Sequence, residues 1–228
     1  MGIFKLILRF VKIFVIAFVG ISLLWVLLYR FINPPVTWLM IERGFERKAA
    51  GKTWKIDKDW KDFDEISINM KKAAVAGEDQ AFLEHHGFDF KAIEHAIKKN
   101  QNSHKIIGGS TISQQTAKNA FLWQGRSWLR KGLEAYFTML IEAMWSKKRI
   151  MEVYLNIIEM GDGIYGAEAA AQNYFHKPAA NLTKREAAAI AAIFPSPLKR
   201  SATNPTKFLR HRRYLIIKNM NRLGPLDF

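Results

Sequence analysis

The chain has 228 residues, 49% of them hydrophobic, a formal net charge of +15 and no cysteine. This composition excludes a disordered tail, disulfides, thiolate chemistry and cysteine-ligated zinc, and allows one anchor plus one compact domain with a real core. So large a cationic excess asks for an anionic partner: nucleic acid, anionic lipid or a phosphate-bearing substrate.

Ile13 to Tyr29 is uncharged, with only Gly20 and Ser22 as weak interruptions. As a helix it would rise roughly 26 Å, slightly short of a bilayer's hydrocarbon core, and Phe10, Val11 and a snorkelling Lys12 can extend it. Lys5, Arg9 and Lys12 precede the run and Arg30 alone follows closely. The positive-inside rule then predicts a cytoplasmic N-terminus and a domain on the outer side of the membrane. A cleaved signal peptide is the alternative, but Leu27-Leu28-Tyr29-Arg30 offers no small-residue cleavage site. The expected organisation is an anchor over 1–30, a juxtamembrane connecting segment over 31–65 and a catalytic-sized domain over 66–228.

Asn33-Pro34-Pro35 breaks the anchor helix, and the aromatic stretch from 36 to about 60 carries Trp38, Trp54 and Trp60. Beyond it helical patterning dominates. Helices are predicted over Ile66–Ala81, Phe90–Lys99, Trp128–Trp145, Arg149–Ile158, Ala167–Tyr174 and Lys207–Leu223. Thr111 with Gln114, and Thr183 with Glu186, read as capping boxes that open two more. Gly161, Gly163 and Gly166 mark a loop. Alternating strand patterns are scarce, so the predicted fold class is all-α.

Two segments carry the chemistry. Glu78 sits beside a like charge, Asp79, and near an apolar Phe82. Both neighbours would raise its pKa and suit it to general-base work. A solvated acidic pair at a helix end is the bland alternative. The run Gly108 to Asn119 combines two glycines, a helix N-terminus and the donors Ser110, Thr111, Gln114, Gln115 and Lys118, a pattern fit to hold an anion. Between His95 and Leu133 lie Lys98, Lys99, Lys105, Lys118, Arg126, Arg130 and Lys131, with no Asp or Glu. Glu134 follows, on an ideal-helix face with Ser127, Arg130, Lys131 and Thr138. Two cations within a turn should keep it ionised, and the alternative is an ordinary surface ion pair. The basic stretch from Pro197 to Arg222 is also free of acid. It suits anionic membrane lipid.

Other signals are weaker. His85-His86 lacks metal-ligand spacing and reads as a hydrogen-bonded turn. Ser196-Pro197-Leu198-Lys199 stands alone as an S-x-x-K match. Asn181-Leu182-Thr183 is a sequon whose threonine already has a capping role. Glu152 and Asn156 could line a cleft or anchor the fold.

These residues fall into five ordered motifs. They are Glu78 to Phe82 through His86-Gly87-Phe88-Asp89; Gly109 to Gln115 with Lys118-Asn119; and Arg130 to Ala135. The fourth runs from Lys147 through Tyr154-Leu155-Asn156 to Tyr174-Phe175, and the fifth from Leu182 to Pro195-Ser196-Pro197. In this the chain resembles the monofunctional peptidoglycan glycosyltransferases of bacteria, related to the glycosyltransferase domain of class A penicillin-binding proteins, over about 66–225 plus the anchor. Gly132 and the doubled His85-His86 are local departures.

The resemblance implies a lysozyme-like helical fold and polymerisation of lipid II into β-1,4-linked glycan, with release of undecaprenyl diphosphate. It makes Glu78 the base and Glu134 the second essential carboxylate. It assigns substrate binding to Phe82, Ser110, Thr111, Gln114, Gln115, Lys118, Arg126, Arg130 and Lys131. A divalent metal (Mg or Mn) is the cofactor it suggests, with ligands unknown. The expected partners are lipid II, the growing glycan, anionic membrane lipid and cell-division or transpeptidase proteins, and not nucleic acid. A lytic lysozyme-like enzyme is the nearest rival, and a nucleic-acid or lipid-binding module the next.

Overall fold

The computed structural model describes residues 2–101, 108–125 and 127–228. Among the described residues are ten α-helices, two short 3-10 helices and a small sheet. The first helix, α1 (Gly2–Phe31), is long and apolar enough to cross a membrane. Most of its apolar side chains are exposed. Only its far end is covered. Val26 is fully buried, Trp145 Nε1 donates to the Val26 carbonyl at 2.9 Å, and Ser22 Oγ lies 2.6 Å from Tyr136 Oη. Trp25 meets Phe121 edge-on, 5.4 Å between centroids.

The last carbonyls of α1 have no partner within the helix and need one elsewhere. Arg149 supplies it. Its guanidinium donates to Tyr29 O at 2.9 Å, to Ile32 O at 3.1 Å and to Asn33 Oδ1 at 2.9 Å. The C-terminal end of α1 is thereby capped by the domain that follows it. Arg149→Ala should cost about 2 kcal/mol, the scale of hydrogen bonds to a charged group, read as a lower Tm in detergent. An unchanged Tm would mean that water satisfies these carbonyls equally well.

The connecting segment contains α2 (Trp38–Ala49), which sends Leu39 and Met40 into the core, and β1 (Asp57–Lys58). The predicted glycine loop is a hairpin: β2 (Glu159–Gly161) runs antiparallel to β3 (Ile164–Tyr165), and β1 lies parallel to β3. Gly166 follows at φ +83, where a Cβ would come within 2.8 Å of the Asn156 carbonyl. No L side chain fits that backbone comfortably.

The remaining helices follow the hydrophobic pattern with small shifts at their ends. They are α3 (Ile68–Glu78), α4 (Phe90–Gln101), α5 (Ile112–Phe121), α6 (Trp128–Met144), α7 (Lys147–Ile157), α8 (Gly166–Phe175), α9 (Lys184–Ile193) and α10 (Lys207–Arg222). The α3 helix stops at Glu78, three residues before the predicted end at Ala81, and the chain turns there. Both expected capping boxes are present, at Thr111/Gln114 and Thr183/Glu186.

Helix α7 is buried nearly all round, with Ile150, Met151, Val153, Tyr154 and Leu155 at zero exposure. The alanine face of α9 lets neighbouring backbones approach, and α3 and α10 both pack on it. Ile216 of α10 reaches Gly77, where an added Cβ would lie 3.3 Å from its Cδ1. The end of α3, which carries Glu78, is thus fixed between two helices. Asn156 anchors the fold instead of lining a cleft: its amide bonds both the N–H and the carbonyl of Lys61.

Candidate active site

Glu78 ends α3 and faces a cavity of about 260 Å³ lined also by Asp79, Gly109, Ser110 and Thr111. The two predicted segments therefore form opposite walls of one cleft. Asp79 staples them. Its buried carboxylate accepts from the Ile112 N–H at 2.9 Å and from His85 Nε2 at 3.0 Å. The Gly87 N–H donates to His85 Nδ1 at 3.1 Å, so the ring is the Nε2–H tautomer. Gly87 O in turn accepts from Thr111 Oγ1 at 2.7 Å. Gly87 sits at φ +91 with Thr138 against it, a placement only glycine takes without strain. His85 is thus the hydrogen-bonded turn residue that its spacing suggests.

The Glu78 side chain is 13% exposed. Burial pushes its pKa up, and the nearby Asp79 charge adds a small push in the same direction. Gln115 and Arg212 oppose the rise. Gln115 Nε2 donates to Oε2 at 3.1 Å, and Arg212 Nη2 to Oε1 at 2.9 Å. The Gln115 amide is oriented from behind by Tyr154, whose hydroxyl donates to its Oε1 at 3.3 Å. Burial drives the Tyr154 hydroxyl far above its ordinary pKa, so it stays a donor. The result is a carboxylate shielded from water, with both oxygens aligned. That is what a base working near neutral pH requires.

The predicted anion cradle divides in two. Ser110, Gln114 and Lys131 share a cavity of about 290 Å³ that adjoins the Glu78 cleft through Ser110. Gln115 and Lys118 share another, of about 170 Å³, with Arg43, Asn119 and Tyr154. Burial lowers the Lys118 pKa; Arg130, Lys131 and Arg43 lower it further, and Glu134 opposes them. Three cations and one carboxylate thus lie within electrostatic reach of Lys118, an arrangement a bound anion would relieve. Glu134 is no surface ion pair. It is 3% exposed, accepts from Arg130 Nη1 at 2.6 Å and is also paired with Lys131.

Several expected site residues have structural tasks. Phe82 has no exposed surface and packs in the core under Lys147, whose Nζ is 4.6 Å from the ring centroid, so it meets no substrate directly. Thr111 and the Gln114 carbonyl oxygen are spent on the α5 cap. Arg126 lies outside the described residues. Among the described residues no three His, Cys, Asp or Glu cluster as metal ligands. Both Glu134 oxygens already face cations, so these residues do not form a cage for a resident divalent ion. Arg43 and Arg212 were missing from the sequence-derived set. The basic stretch that holds Arg212 was visible and Arg43 lay in the connecting segment, but nothing local singled either out.

The sequence that builds this site has close relatives. Residues 47–221 match the model of the Transglycosylase family. The chain is 56% identical over 187 residues to the biosynthetic peptidoglycan transglycosylase of Caulobacter vibrioides, covering 82% of this chain and 79% of that one. It is 48% identical over 220 residues to the protein of the same name from Pseudomonas fluorescens, covering 96% and 91%. With the Cronobacter sakazakii protein, also so named, it shares 47% over 215 residues, covering 94% and 89%. A buried carboxylate beside a cationic cluster, on a helical frame matched over most of its length, places the chain plainly: it belongs to the transglycosylase family.

Proposed function

We propose that this protein polymerises membrane-bound lipid II into β-1,4-linked glycan strands and releases undecaprenyl diphosphate, with Glu78 as general base. The observation that carries this reading is a shielded, raised-pKa carboxylate next to a cluster of cations. Glu78 takes the proton from the 4-hydroxyl of the acceptor GlcNAc. The freed oxygen attacks C1 of the donor MurNAc, the bond from C1 to the diphosphate oxygen breaks, and the configuration inverts from α to β. A diphosphate leaves without a strong acid, because its developing charge can be met by fixed cations. Lys118, Arg130 and Lys131 supply them, and Ser110 adds a hydroxyl. Glu134 holds Arg130 and Lys131 in place.

The names carried by the relatives support peptidoglycan as the product. Helix α1 supports a single-pass inner-membrane anchor, and the lysines and arginine before its apolar run support a domain on the outer side. On this reading a Mg or Mn ion arrives with the substrate diphosphate and is not held by the protein alone. Chelation should therefore leave the Tm unchanged; a fall would reveal a resident metal.

Purified protein incubated with lipid II in detergent tests the reading. Long glycan strands and free undecaprenyl diphosphate are the expected products. Shortening of preformed glycan, with lipid II untouched, would instead support a lytic enzyme.

A further inference from the structure

Beside Glu78 lies a second cationic feature that the diphosphate grip does not use. Arg212 of α10 donates from Nη2 to Glu78 Oε1 at 2.9 Å and to Gly77 O at 3.4 Å. Its Nε is buried and has no partner among the described residues. Arg200, in the segment before α10, stands close enough for the Arg212 charge to lower its pKa, after burial as the larger cause. Its Nη1 is likewise buried without a partner among the described residues. The Arg200 guanidinium lies 5.0 Å from the ring centroid of Phe208, whose side chain is 58% exposed.

Two crowded guanidiniums thus carry orphaned donors, and among the described residues the one carboxylate paired with either is Glu78, which meets Arg212 and leaves Arg200 without an ion-pair partner. Guanidinium forks match carboxylates in geometry and charge, and an exposed ring stacked beneath one offers a face to a sugar ring. An orphaned buried donor is costly, and an incoming acceptor group removes that cost.

We infer that Arg200, Arg212 and Phe208 form a subsite beside Glu78 for a carboxylate-bearing saccharide, the peptide-substituted disaccharide of the substrate. The inference rests on the polymerase reading and adds to it: the diphosphate is held at Lys118, while the carboxylate end of the same substrate is held at Arg200. Phosphate is the competing anion, and the probes separate the two.

The test uses the full-length protein in detergent and binding assays that need no turnover. The probes are a soluble disaccharide-peptide without lipid or diphosphate, the same compound with its carboxylates amidated, and inorganic diphosphate. Arg200→Ala should weaken binding of the free-acid disaccharide-peptide about tenfold, the worth of one charge-assisted pair, and Phe208→Ala, as an independent variant, should weaken it about threefold or more through the lost ring face. Both should leave inorganic diphosphate binding unchanged. Amidation should reproduce the Arg200→Ala loss in the wild type, and Arg200→Lys should recover part of it. With lipid II the Arg200→Ala variant should show a raised KM at unchanged kcat. Selective loss of diphosphate binding would overturn the assignment, as would equal binding of acid and amide. If the wild type binds the disaccharide-peptide in this way yet makes no glycan, the polymerase reading fails and the subsite stands.

Discussion

Glu78→Gln should slow glycan polymerisation roughly 100- to 10,000-fold, the contribution of a positioned general base. Substrate binding and the fold should survive. Glutamine keeps the size of the side chain and leaves an amide oxygen for the Arg212 Nη2 bond seen at 2.9 Å. What it removes is the ability to accept a proton from the acceptor hydroxyl. The loss should therefore fall on kcat, with KM little changed. A variant that polymerises at the wild-type rate would remove Glu78 from the mechanism. A variant that no longer binds lipid II would make its role one of binding.

Lys118→Ala should produce the second largest effect, of opposite character. Lys118 is held among Arg43, Arg130 and Lys131, where burial and like charge both disfavour its protonated form. A diphosphate entering this cluster gains more from a poorly solvated cation than from an exposed one. Removal of Lys118 should weaken lipid II binding by roughly tenfold or more at low ionic strength, the scale of a charge-assisted contact. The deficit should shrink as salt rises, because screening erodes the same interaction in the wild type. Titration of substrate at several salt concentrations measures this. A deficit that ignored salt would point to packing by the lysine stem and not to its charge.

How much of this was legible in the sequence depends on how local each feature is. The caps at Thr111 and Thr183 were readable because a capping box spans four residues and depends on little else. Long amphipathic helices such as α6 were readable from period alone. The sheet was not: its strands hold two or three residues, too few for alternation to show.

The burial of Glu134 was also hidden. On an isolated helix Ser127, Arg130, Lys131, Glu134 and Thr138 make a polar face, and a polar face reads as solvated. In the fold Gly87 comes down on Thr138, which has no exposed surface, so part of that face is turned inward. Phe82 erred the other way: its place in a catalytic motif suggested contact with substrate, whereas its burial gives it a packing task. Arg212 lies 134 residues from Glu78, and Arg43 comes from a segment read as a connector. Only tertiary structure brings either to the site. The pairing of Glu78 with the Gly108–Asn119 run was the most useful sequence reading, since the two do form one cleft.

The most direct test of Glu78 as the base is the pH dependence of kcat/KM for lipid II in the wild type, which reports the free enzyme's ionisations. Burial raises the Glu78 pKa, so the base is protonated, and activity lost, as pH falls through that raised value. The acid limb should therefore lie above the value of an ordinary glutamate, about 4.3, and it should vanish from the residual rate of Glu78→Gln. An acid limb at the ordinary value, or one that persists unchanged in the glutamine variant, would contradict the assignment.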